Sequence, residues 1–285
     1  MADPLAQTRH DLALANRILA HEGVVDAFGH VSVRHPTNPE RYLISRHQAC
    51  ELVQPEDILE LTLDSVPVTP TKERLYGELV IHGYIYKARP DVQAICHHHA
   101  DAILPYTITT KPLVPVYHLG ASLGEKVMMW DSRDEFSDTT LVVITPEEGA
   151  SLARALGPHW IVLLRRHGAT VVGTTLREMV YRSIFTARNA ELQSRAEALG
   201  TVMPLNAGET AKCFEFNRTF RPTVRAWDYW TMRLAKTEAL EALAMNALNA
   251  SKAAPAKRAA PAKRAKAAPT KRAKPAAKKR KARRK

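Results

Sequence analysis

Apolar and polar positions alternate along this chain with periods that change from segment to segment. Leu5, Leu12, Leu14, Ile18 and Leu19 recur at helical spacing and Gly23 follows, which predicts an amphipathic helix over 4–22. AFGHVSVRHP (27–36) alternates and stops at a proline, and YLISR (42–46) reads as its antiparallel hairpin partner. EDILELT (56–62) predicts a short strand, followed by a Pro/Thr-rich loop at 67–71. Helical spacing returns over 75–88 and ends before Arg89-Pro90-Asp91. VQAICHHHA (92–100) and WIVLLRRHG (160–168) read as apolar strands, and 102–110 as a helix. LVVIT (141–145) fits either a strand or a helix start. PEEGASLARALG (146–157), 175–200 and 223–248 read as helices, the first with acids in its first turn and a Gly stop. Irregular alternation with an early antiparallel hairpin fits a three-layer α/β/α body on a mixed or antiparallel central sheet better than a doubly wound parallel one.

Charge divides the chain unevenly. Residues 251–285 carry 16 of the 41 Lys/Arg and no acid, so residues 1–250 hold 25 against all 29 acids and are net −4. The basicity therefore belongs to a tail, built on repeats such as Ala254-Pro255-Ala256-Lys257-Arg258. With no large apolar residue to bury, 251–285 is expected to be disordered and to touch polyanions or nucleic acid without sequence specificity, if it has a partner. Residues 1–250 are expected to form one catalytic domain. Three widely spaced cysteines (Cys50, Cys96, Cys213) make no disulfide framework, and neither a leader-like start nor a membrane-length apolar run is visible. The expectation is a cytoplasmic protein without membrane contact.

The chemistry concentrates at His97-His98-His99. Side chains alternate across a strand, so His97 and His99 share a face on which one metal ion can be held, and His98 points away. His167, at the end of another apolar strand, supplies a third imidazole, and three histidines leave an open coordination position. On its own, His-x-His fits a polar strand end with solvated histidines better than a metal site. Glu78 precedes the His97 strand and is a candidate ligand or base; it is also a common kind of solvent-facing acid at a helix start.

The combination is more specific than its parts. Glu78-x-x-x-His82, Ile85-Tyr86-x-x-Arg89-Pro90-Asp91-Val92, His97-His98-His99 and Leu163-Leu164-x-x-His167-Gly168 together resemble the class II aldolase/adducin family over about residues 8–200. The resemblance implies a three-layer α/β/α sandwich with a mainly antiparallel central sheet, metal ligation by His97, His99 and His167, and a fourth ligand, Glu78, able to leave the metal to transfer protons. It also implies a homotetramer with sites near subunit interfaces. Family members acting on sugar phosphates carry Ser-Ser before the glutamate and Gly-Asn-x-Ser in the early loop; here stand Tyr76-Gly77 and Gly29-His30-Val31-Ser32. Fewer donors converge on a phosphate, which argues against that substrate class. Gly29-His30-x-Ser32 and Leu43-Ile44-Ser45-Arg46 resemble instead relatives that decarboxylate aromatic or heteroaromatic hydroxy acids, such as dihydroxyphthalate.

That resemblance sets the expectations. One divalent transition metal (Zn, Mn, Fe or Co) is bound per subunit by His97, His99, His167 and Glu78. Glu78 and His30 move protons. Arg46, Ser32 and Tyr229 hold a small carboxylate substrate, Arg46 by bidentate pairing and Tyr229 from the aromatic segment 225–230. The activity expected is decarboxylation, with cleavage of an unphosphorylated hydroxy-ketone or hydroxy-keto-acid as the alternative and an adducin-like scaffold as the non-enzymatic one.

Overall fold

The computed structural model describes residues 3–253, with the side chains of 247–253 excepted. One compact unit ends at Leu240, and the site lies within it. Its elements run α1 (Pro4–His21), β1 (His30–Arg34), β2 (Arg41–Ser45), β3 (Ile58–Thr62), α2 (Leu79–Ala88), β4 (Ala94–His98), α3 (Leu104–Ile108), β5 (Met128–Trp130), α4 (Arg133–Phe136), α5 (Pro146–Leu156), β6 (Ile161–Leu164), β7 (Gly168–Gly173), α6 (Leu176–Leu199), α7 (Ala207–Asn217) and α8 (Phe220–Ala253). α8 runs past the expected boundary at 250, and the rest of the expected tail lies outside the described residues. No helix among the described residues is long and apolar enough to cross a membrane.

The seven strands form one sheet in the order β3-β2-β1-β4-β7-β6-β5, antiparallel throughout except for the β5–β6 pair. Side chains alternate across it and meet two layers of helices. Val31, Val33, Leu43, Ala94 and Cys96 pack with α1, α6 and the Trp227–Trp230 turn of α8. Tyr42, Ile44, Ile95, Val162 and Val172 pack with α2 and α5. Each fully buried Leu or Ile in these layers contributes roughly 1.5–3 kcal/mol, and Leu12, Ile18, Leu19, Ile81, Ile85 and Leu152 are all at 0% exposure. The expected sandwich with a mainly antiparallel sheet is the one observed.

Helix ends follow local chemistry. Pro4 opens α1 behind an Asp3 cap, and Thr145 and Glu148 form a reciprocal capping box on α5. Thr175 caps α6 by accepting from Glu178 N–H. Four expectations change. The helix expected over 75–88 begins only at Leu79, which leaves Glu78 as its N-cap residue. WIVLLRRHG is not one strand: β6 ends at Leu164 and the chain turns through Arg165-Arg166 into β7. Segment 141–145 is neither strand nor helix, because carboxylates take its amides: Val143 N–H donates to Glu78, and Ile144 and Thr145 N–H to Glu148. Finally, β5, β7, α4 and α7 are elements that the pattern of apolar positions did not predict.

Candidate metal centre

β4 lies beside β1 and β7, which surrounds its last residues with side chains from both. His97 pairs across the strands with His30 on one side and Thr170 on the other, facing α2 with all three side chains. Thr170 Oγ1 lies 3.1 Å from His97 Nδ1, so that nitrogen is engaged and Nε2 faces outward. His99 follows the strand end on the same face. His167 sits in the β6–β7 turn, closed by its N–H on the Leu164 carbonyl at 3.0 Å. Arg166 in that turn has φ of 61°, a costly conformation for a non-glycine residue. Its guanidinium is tied to Asp131 at 2.8 Å and its N–H to the Thr107 carbonyl at 3.1 Å. Gly168 comes next, where a Cβ would meet the His98 carbonyl oxygen at 2.4 Å and His99 Cδ2 at 2.8 Å. Only glycine lets the His167 turn approach β4 this closely.

The four expected ligands are brought together, with one donor atom from each within 4.8 Å of the others. His97 Nε2 is 3.1 Å from His99 Nε2 and 3.3 Å from His167 Nε2. Glu78 Oε2 lies 3.6 Å from His97 Nε2, and Oε1 3.7 Å from His167 Nε2. The imidazole spacings of 3.1 and 3.3 Å fit a single ion. Ligand nitrogens on a tetrahedral ion with bonds of 2.0–2.1 Å stand roughly 3.3 Å apart. Burial lowers the pKa of His97 well below its ordinary value, and burial likewise lowers His99 and His167, with Glu78 opposing. Neutral imidazoles with converging lone pairs are what a divalent cation requires.

Burial pushes the Glu78 carboxyl up, but His30, His167 and the Val143 N–H outweigh it, so its pKa lies below the usual value. Val143 N–H donates to Oε1 at 3.0 Å, leaving Oε2 turned toward His30 Nε2 at 3.7 Å. The other expected residues divide. His30 is in the site, its ring stacked on His97 at 5.0 Å and against Tyr76 at 5.0 Å. Ser32 is fully buried, its hydroxyl shared between His82 and Tyr86, and faces no open space. Arg46 is partly exposed and engaged by Asp57 at 2.7 Å, with Glu73 at 3.8 Å. Tyr229 is half exposed and lines a cavity of about 630 Å³ to which none of the four ligands contributes. The reason is the sheet: α8 packs through Trp227 and Trp230 on the face opposite α2, and Tyr229 turns outward. A different cavity, of about 610 Å³, includes His99, Val25, Asp26 and Arg188 and adjoins the cluster.

Several residues of the site were not singled out by sequence. Thr170 left no signal, since its partnership depends on β4–β7 register. Tyr76, which holds the His30 ring and donates to the Gln48 carbonyl at 2.8 Å, stood out only as a departure from Ser-Ser. His98 turns away as expected, and burial pushes it down to about 3.

The family profile described as Class II Aldolase and Adducin N-terminal domain matches residues 10–194, and the chain belongs to that family. It is 32% identical over 235 residues to a protein named Decarboxylase tropJ from Talaromyces stipitatus, covering 75% of this chain and 88% of that one. It is 26% identical over 242 residues to 3,4-dihydroxyphthalate decarboxylase from Arthrobacter keyseri, covering 81% and 95%. Among solved structures, L-fuculose 1-phosphate aldolase from Glaciozyma antarctica superposes with a TM-score of 0.69 at 24% identity, over 83% of this chain and 91% of that one. The last likeness bears on fold alone.

Proposed function

We propose that this protein is a divalent-metal-dependent carbon–carbon lyase that decarboxylates a hydroxylated aromatic or heteroaromatic carboxylic acid. The observation that carries the reading is the convergence of three neutral imidazole Nε2 atoms beside an ionised Glu78, with His30 and Tyr76 packed where phosphate-gripping hydroxyls and amides would otherwise stand. The similarity to two decarboxylases supports it. A divalent transition ion held by His97, His99, His167 and Glu78 supplies a Lewis acid for negative charge on a substrate oxygen, such as a hydroxyl ortho to the departing carboxylate.

The chain's own groups handle the protons. Glu78 starts ionised at neutral pH, so Oε2 first accepts the proton of the substrate hydroxyl. When CO₂ leaves, its bonding pair stays on the ring carbon and a proton must reach that carbon. Glu78 Oε2 and His30 Nε2, 3.7 Å apart, are the two groups that can deliver it. Arg46 is a candidate to hold a second carboxylate in exchange for Asp57. Ser32 serves the site from behind His82, and Tyr229 reaches a substrate only through another subunit of the implied homotetramer.

Elemental analysis of the untagged protein tests the reading first. About one equivalent of a transition metal per chain is expected, lost in His97→Ala, followed by CO₂ release from hydroxy-aromatic acids. A metal-free folded protein that no divalent ion reconstitutes would leave the adducin-like scaffold. Metal without CO₂ release, but with cleavage of unphosphorylated aldols, would move the assignment to an aldolase.

A further inference from the structure

A buried chain of hydrogen bonds runs from the α2 side of the core to the ligand cluster. The Tyr86 hydroxyl is 2.9 Å from Ser32 Oγ, Ser32 Oγ is 2.6 Å from His82 Nδ1, and His82 Nε2 is 2.6 Å from His30 Nδ1. All four residues are at 3% exposure or less. At the far end, His30 Nε2 is buried, has no hydrogen-bond partner among the described residues, and faces Glu78 Oε2.

The chain can run in two senses, and proton bookkeeping separates them. Burial keeps His82 well below its ordinary pKa, so its ring is neutral and carries one N–H. Tyr86 and Ser32 each bring one hydroxyl proton, and neither hydroxyl has a further partner among the described residues. In one sense Tyr86 donates to Ser32, Ser32 to His82 Nδ1, and His82 Nε2–H to His30 Nδ1, and the one proton left over, on His30 Nε2, faces the ionised Glu78 Oε2 at 3.7 Å. In the other, His30 Nδ1–H donates to His82 and His82 Nδ1–H to Ser32. One hydroxyl proton is then left in the core with nothing to accept it. Each sense leaves one proton without a hydrogen bond, but the first sets it against the Glu78 carboxylate, whereas the second strands it in the core and turns the bare His30 Nε2 lone pair toward that carboxylate, so the first is favoured. In that sense His30 accepts at Nδ1 and must carry its own proton on Nε2.

We propose that Ser32, acting through His82, fixes His30 as an Nε2–H donor aimed into the gap beside Glu78. His82 and Ser32 are positioning residues, and His30 is the donor to the substrate. A protonated Nε2 offers no lone pair, so His30 stays out of the ligand set although its ring stacks on that of His97. The role in decarboxylation rests on the lyase reading above, whereas the direction of the chain does not.

The test is long-range ¹H–¹⁵N correlation of the histidine rings in the full-length protein, with and without zinc, His30 being assigned by its absence in His30→Gln. The expected wild-type spectrum shows His30 with Nε2 protonated and Nδ1 bare in both states. Ser32→Ala is expected to remove the preference and give a mixed or reversed tautomer, whereas Tyr86→Phe keeps it, since the Ser32 proton still goes to His82. A His30 ring protonated on Nδ1 in the wild type, or one that ignores Ser32→Ala, overturns the proposal. Failure of the metal reading is distinct: zinc would then leave the His97, His99 and His167 rings unmoved.

Discussion

At the scale of single residues, the centre depends on atoms that are absent as much as on those present. Gly168 allows β7 to lie against β4, and a methyl there collides with the His98 carbonyl and with the ring edge of His99. Gly168→Ala is therefore expected to cost at least tenfold in metal affinity, measured by competition with a chelator dye. Full-strength binding in a folded variant would show that His99 has room to move. Glu78 is a different case. Its Oε1 is pinned by Val143 N–H, so glutamine can occupy the same place without carrying protons. Glu78→Gln should keep most of the bound metal and lose roughly 10²–10⁴-fold in kcat, the range over which a positioned acid or base acts. An active Glu78→Gln would transfer that duty to His30.

At the scale of elements, what was legible follows from how local each determinant is. α1, α5 and α6 announce themselves because caps and stops sit within a few residues of the apolar stripe they bound. The β1–β2 hairpin alternates visibly. β7 was not legible, because Gly168-Ala169-Thr170-Val171-Val172-Gly173 is buried on both faces and shows no alternation, and β5 is three residues long. The same contrast holds in the site. The histidines at 97 and 99 declare a common face by spacing alone, but the Asp57 grip on Arg46 and the seat of Thr170 depend on strand register. His82 spans both levels: four residues after Glu78, it lands on β1 residues some fifty positions away. Its burial also makes a pH prediction. The folded pKa lies below the unfolded value of about 6.5, so the folded chain refuses a proton that the unfolded chain accepts. The resulting stabilisation is complete above pH 6.5 and is lost as the pH falls below it, by up to about 1.4 kcal/mol per pH unit for this one group. Urea unfolding of metal-free protein between pH 7.5 and 5 should show His82→Gln with a shallower decline than wild type. Equal slopes would mean that His82 is protonated in the fold.

At the scale of the whole molecule, two halves of the chain's electrostatics are separate by sequence. The 250 residues that include the site are net −4, and the last 35 bring 16 cations and no acid. A net charge of +12 therefore says nothing about the surface that a substrate meets. Around His99 that surface carries Asp26, Asp101 and Glu191, and Glu22 already paired with Arg188 at 2.7 Å. Polyanion binding, if the chain has it, must come from the basic segment and must behave as counterion release does. With six to ten of those cations on phosphates, DNA affinity should fall by roughly 10³-fold or more between 50 and 200 mM salt. Fluorescence anisotropy on labelled duplexes of unrelated sequence would measure it, and all should bind alike. A chain ending at residue 250 should lose this binding and keep its lyase turnover unchanged, because the four ligands and His30 lie within residues 30–167. Salt-insensitive binding, or turnover that falls with the truncation, would tie the basic segment to the chemistry.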